Sequence, residues 1–264
     1  MKKIILITIL SVITFGVQAQ GEFRVGIKGI YNNTYLLNGN VSNRNYKLDY
    51  ANTFGESFGF SFNYTLTKSY SIDANVLIAK QKQNYNLNFG TEAEPDLAEL
   101  KNKLRYFDFP ILFKMKNNMG IYVEVGPQFS ILFSDKETFT YANSTLSYTD
   151  QHFKRDFRGF GLCGVIGCGA DIHLNDKIDL NTGIRMGYMF TDATIEFKNE
   201  NEKYPLDIKL TPTPNYDGSH SVNSAINYYA NNIIDYKRTN RVWAGINIGL
   251  TYKIEKKEEA KNNK

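Results

Sequence analysis

The residue pattern predicts an all-β fold, an eight-stranded antiparallel up-and-down transmembrane β-barrel, and three observations carry that prediction. Between Arg241 and Ile254 the chain reads RVWAGINIGLTYKI, in which Val242, Ala244, Ile246, Ile248, Leu250, Tyr252 and Ile254 are apolar while Arg241, Gly245, Asn247, Gly249, Thr251 and Lys253 are small or polar. A two-residue period of this kind marks a strand with one greasy face, and it returns along most of the chain. An export signal precedes it, and the links between periodic segments alternate between tight turns and long polar loops, as in outer-membrane barrels.

The elements follow in order. Lys2 and Lys3 form a positive n-region, Ile4 to Val17 an apolar stretch, and Val17-Gln18-Ala19 a small-residue cleavage site, so residues 1–19 read as a signal peptide and the mature chain as starting at Gln20. The apolar stretch is short for the roughly 20 residues that a spanning helix needs. Residues 20–254 read as the barrel, with strands near Phe23–Asn33, Phe54–Leu66, Tyr70–Asn84, Arg105–Lys116, Gly120–Phe133, Asp156–His173, Lys177–Ala193 and Arg238–Ile254. Thr67-Lys68-Ser69, Asn117-Asn118 and Leu174-Asn175-Asp176 read as tight turns. Thr34–Thr53, Tyr85–Leu104, Ser134–Arg155 and Thr194–Lys237 read as the long loops. In the second of these, Asp96 and Glu99 within PDLAELKNKL resemble a capping box and predict one short helix. Residues 255–264, EKKEEAKNNK, lack apolar period and read as a charged periplasmic tail. An even strand count puts both ends of the barrel on the short-turn side, expected to be periplasmic, and the long loops outside the cell.

Composition removes other classes. Past the signal peptide no apolar run is long enough for a membrane helix. The formal charge of +4 loses two positive charges with Lys2 and Lys3, which leaves no basic surface for nucleic acid. Cys163 and Cys168 lie five apart in one strand, hence on opposite faces and too far apart to bridge.

Four segments carry a family resemblance: FRVGIKGIYNN, RYFDFPILFKMKNNMGIYVEVGPQFSILF, GCGADIHLNDKIDLNTGIRMGYMFTD and RVWAGINIGLTYKI. They resemble the small bacterial outer-membrane β-barrels labelled porin family or PorT-like, most specifically in Phe109-Pro110 and the run Glu124-Val125-Gly126-Pro127. The resemblance implies an eight-stranded barrel and little about activity. One departure is the end of the chain, which continues past Tyr252 and Ile254 instead of closing on a terminal aromatic.

If the apolar parity faces lipid, Arg24, Lys28, Lys114, Arg185, Arg241 and Lys253 point inward together with Asp73, Asp108, Glu124, Asp171 and Asp179. An eight-stranded barrel is wide enough only to be filled by side chains, so these eleven are expected to pair and plug the lumen; a narrow ion or proton path through them is the alternative. Phe58, Phe60, Phe62, Tyr64, Phe107, Phe109, Phe129, Phe133, Tyr188, Phe190 and Tyr252 take the outward parity, as interfacial girdles do. Alternation alone leaves open a soluble lipocalin-like barrel with the same residues turned inward. His152 and His220 fall in outer loops where a Ser-His-carboxylate site could form, and His173 reads as a satisfied barrel residue; no nucleophile motif, phosphate loop, zinc helix or calcium loop accompanies them. No catalytic, cofactor or metal site is therefore expected. The expectation is a non-enzymatic barrel with a structural, adhesive or accessory role at the envelope through its outer loops. Outer-membrane lipid is its expected surrounding, an envelope protein its expected partner, and nucleic acid is not. The rivals are an accessory of a secretion or assembly machine and a narrow small-solute pore.

Overall fold

Thr67, Asn117 and Asn175 each sit at a tight turn where a side-chain oxygen accepts from nearby backbone amides. Thr67 Oγ1 accepts from the Ser69 and Tyr70 amides, Asn117 Oδ1 from those of Met119 and Ile121, and Asn175 Oδ1 from those of Lys177 and Ile178. The computed structural model describes residues 21–38, 48–88, 93–94, 97–141, 147–151, 157–194 and 238–254. The expected signal peptide and charged tail, most of the expected fourth loop, Asp96, His152 and His220 lie outside them.

The turns join ten strands: β1 (Phe23–Asn38), β2 (Leu48–Ala51), β3 (Phe54–Thr65), β4 (Tyr70–Asn88), β5 (Leu97–Lys116), β6 (Ile121–Tyr141), β7 (Tyr148–Gln151), β8 (Phe160–His173), β9 (Ile178–Met189) and β10 (Thr239–Ile254). Eight of them close a ring. Each of β1, β3, β4, β5, β6, β8 and β9 pairs antiparallel with the next in that order, β9 pairs with β10, and β10 returns to β1 along its full length, from Phe23 opposite Ile254 to Asn38 opposite Thr239. Closure leaves no open edge in the ring, the condition for β-structure to cross a bilayer. Phe23 and Ile254 lie at the same end as the three tight turns, since the Thr65 amide donates to the Glu22 carbonyl. This is the turn end; the other is the loop end.

The two faces are inverted relative to a soluble barrel. Outward side chains include Ile246 (64% exposed), Phe58 (62%) and Ile248 (58%), whereas inward Asn247 is fully buried and Ser61 almost so. A lipocalin-like reading would need the opposite. The outward belt on β4 runs from Tyr70 through Ile72, Val76 and Ile78, about the nine to eleven residues a tilted membrane strand requires. Phe107 and Phe133, with ring centroids 4.5 Å apart, flank its loop-end border.

The strands run further than the pattern suggested, and among the described residues strand stands where the short helix at Asp96 and Glu99 was expected: Glu99 lies in β5, which is strand from Leu97. Along β5, Ala98, Leu100 and Leu104 are buried inside while Lys103 and Arg105 are exposed. Beyond the lipid belt the greasy side of the strand swaps from outer to inner, so a reader following the outward apolar stripe loses the strand where it crosses into water. Segments expected as loop within Tyr85–Leu104 and Ser134–Arg155 are therefore the upper parts of β4, β5 and β6, with β2 paired to β4 and β7 to β6. A bulge, at which Tyr106 opposes Leu132 but Arg105 opposes Ser134, shifts the β6 parity and turns Asp135 and Glu137 inward. β8 starts at Phe160, later than Asp156, and Phe157 makes only an isolated bridge to Thr194.

Candidate functional site

Because inward parity is fixed strand by strand, the charged residues meet in the lumen, and they do so in layers. The middle layer is built on Arg185 of β9. Its Nε donates to Glu124 Oε1 of β6 at 2.6 Å and its Nη2 to Asp73 Oδ2 of β4 at 2.8 Å. Lys28 Nζ of β1 donates to the same Asp73 oxygen at 2.6 Å, and Ser61 Oγ of β3 donates to Asp73 Oδ1 at 3.0 Å. β4 and β9 are diametrically opposed in the ring, so this cluster is a crossbar. Two cations face two carboxylates, and each of the four side chains is at most 2% exposed.

Towards the loop end, Arg241 of β10 reaches across to Asp108 of β5, Nη2 to Oδ2 at 2.8 Å and Nη1 to Oδ1 at 3.3 Å, a two-pronged pair. Its Nη1 also donates to Ser130 Oγ at 3.2 Å, and its guanidinium lies 4.2 Å from the Tyr106 ring centre. Apolar layers interleave with these pairs: Ile30, Leu77, Leu112, Val165 and Trp243 form one, and Leu36, Leu104, Tyr106, Cys163 and Met189 belong to another nearer the loop end. Buried charge pairs of this kind contribute little net stability against an apolar replacement, but loss of one partner leaves an uncompensated charge.

At the turn end the lumen widens into a polar vestibule of about 530 Å3, floored by Lys28 and Asp73 and walled by Arg24, Lys114, Asp171 and Asp179. Arg24 contacts both Glu22 and Asp179; Lys114 Nζ donates to Asp171 at 3.1 Å and lies 3.8 Å from the Tyr122 ring centre. His173 Nδ1 is 2.5 Å from Asp179 Oδ1. Lys253 Nζ meets Glu22 Oε2 at 2.6 Å at the rim. Partial burial pushes the Glu22 carboxyl upward, but hydrogen bonds and charge from Lys253 and Arg24 outweigh this and hold it below the usual glutamate range.

All eleven residues singled out from the sequence thus point into the lumen, Lys253 at its rim. They form three groups: Lys28, Asp73, Glu124 and Arg185 in the crossbar, Asp108 with Arg241, and Arg24, Lys114, Asp171, Asp179 and Lys253 around the vestibule. Sequence reasoning missed the neutral members, Ser61, Ser130, Tyr106, Tyr122 and Asn181, which share the inward parity and would have been found by following it beyond the charged residues. Cys163 is buried inside and Cys168 is exposed outside, both as free thiols. Among the described residues no group of three or more His, Cys, Asp or Glu side chains is arranged to hold a metal ion.

Solved structures with a similar trace include Neisserial surface protein A (11% identity, TM-score 0.37, covering 88% of this chain and 97% of that one) and the outer membrane protein OprG from Pseudomonas aeruginosa (11%, 0.35, 89% and 96%). A third is Ail, the attachment invasion locus protein of Yersinia pestis, in complex with a heparin analogue (9%, 0.37, 88% and 99%). No curated protein matches the chain in sequence. The sequence profile of the outer membrane protein beta-barrel domain family matches residues 18–194. A closed eight-stranded ring, a lipid-facing apolar belt and this match over most of the barrel lead to one conclusion: the chain belongs to the outer membrane protein beta-barrel domain family and resides in the bacterial outer membrane.

Proposed function

We propose that this protein is a non-enzymatic, non-conducting scaffold that holds its loop end outside the cell for a structural, adhesive or accessory role at the envelope. The observation that carries the reading is the lumen, crossed by an Arg185 crossbar and by the apolar layer of Ile30, Leu77, Leu112, Val165 and Trp243. A barrel filled in this way serves as a rigid support, and its variation lies in what it displays. The extended β4, β5 and β6 favour display at the loop end, because they carry ordered sheet beyond the lipid belt. The test is planar-bilayer recording on the folded chain, with no discrete conductance steps expected; steps that vanish in Arg185→Met would instead support the pore.

The turn-end vestibule favours a second reading, in which a periplasmic partner of a secretion or assembly machine inserts a charged segment among Arg24, Lys114 and Asp171. Crosslinking from Lys116 in intact envelopes tests it: a specific protein adduct supports that role, and its absence returns the display role.

A further inference from the structure

Immediately past the lipid belt, the outer face of β4, β5 and β6 opposes positive charge with positive charge. Lys80 stands across from Arg105, Lys82 from Lys103, and Lys103 from Lys136. Like charges directly opposite on one face of an antiparallel pair are destabilising, yet the arrangement repeats over three pairs. Acidic neighbours relieve part of it: Glu56 lies 2.7 Å from Lys80, and Asp150 lies 2.9 Å from Lys103 and 3.9 Å from Lys136. Glu56 also attracts Lys82, but among the described residues neither Lys82 nor Arg105 has a carboxylate at ion-pair distance, and both are exposed.

Their height on the barrel is informative. Lys80 follows lipid-facing Ile78 by two residues, and Arg105 precedes lipid-facing Phe107 by two. The cations therefore sit where the acyl region gives way to headgroups, with Ile78, Phe107 and Phe133 directly beneath. A ligand matched to this surface carries anionic groups at its polar end and acyl chains below them. Lysine ammonium and the arginine fork both suit phosphate, and attraction grows at a low-dielectric border.

We propose that this patch binds the phosphates of a phosphorylated glycolipid of the outer leaflet; the choice of leaflet rests on the orientation given above. Its place against the belt favours a lipid over a free anion, because a free anion gains nothing from the apolar surface beneath.

The experiment uses the folded mature chain in uncharged detergent micelles doped with fluorescent bisphosphorylated lipid A or its dephosphorylated form. Anisotropy should report binding of the first at least about tenfold tighter than the second, and Lys82→Gln/Arg105→Gln should lose about tenfold per cation removed. Lys68→Gln at the opposite end should bind as the parent does. Equal binding of both lipids, or undiminished binding by the double variant, overturns the proposal, as does displacement by inorganic phosphate at equimolar concentration. The unheated-gel mobility of each variant establishes that its barrel is closed. Should protease on intact cells show the loop end to be periplasmic, the orientation fails and the assigned leaflet with it, whatever the micelle result.

Discussion

Ile248 and Asn247 are adjacent in β10 and live in different solvents, one 58% exposed to lipid and the other fully buried with no hydrogen-bond partner for its amide among the described residues. Ile248→Arg should cost about 2–4 kcal/mol near the bilayer midplane, measured by urea titration of the folded protein in lipid vesicles. Asn247→Leu removes buried polar atoms that are unpaired within the protein and should stay within about 1 kcal/mol of the parent. The same asymmetry governs Arg241 and Asp108. Asp108→Ala strands a buried guanidinium and should cost about 3–5 kcal/mol, whereas the double change Asp108→Leu/Arg241→Met should cost much less, since neither charge remains.

Among the elements, the β5–β6 turn depends on Gly120, whose φ of +85° is a conformation that side chains with a Cβ rarely adopt. An added Cβ would also lie 2.4 Å from the Asp171 carbonyl oxygen. Gly120→Ala should therefore destabilise by about 1–3 kcal/mol, while Asn118→Ala in the same turn should change little. At the rim, Glu22 links the entry to β1 with the end of β10 through Arg24 and Lys253. Its carboxyl is held below the ordinary value of 4.5, so its contribution to stability is fully present above that value and is lost as pH falls through the lower folded value. The stability gap between parent and Glu22→Gln should be constant at neutral pH and close in acid. A gap that widens on acidification would reverse the assignment.

The closed ring makes the barrel resist partial opening, because each of its eight strands has two neighbours. In mild detergent the unheated protein should run as a compact fast band and shift to full apparent mass only after boiling. Residues 194–237 form the longest link between barrel strands, and protease added to intact cells should cut there while sparing the turn at Lys116–Met119. Cutting only after the outer membrane is permeabilised would invert the orientation.

Much of this architecture is legible in residue order. The two-residue period names the strands, Thr67, Asn117 and Asn175 mark the turns, and parity alone sends Arg24, Lys28, Asp73 and the other eight charged residues to one face. Parity is a local property, so local sequence suffices to read it. It does not say which face is inside. Closure decided that, by placing Phe58 and Ile248 outside and Ser61 and Asn247 within. Nor does it say which charges meet: Arg185 finds Asp73 from 112 residues away and Arg241 finds Asp108 from 133, contacts set by ring order and strand stagger, which no single strand encodes. The upper reaches of β4, β5 and β6 were illegible for a related reason. Their greasy side reverses where the surroundings change from hydrocarbon to water, and the height of that border depends on how the strands are assembled, tilted and closed.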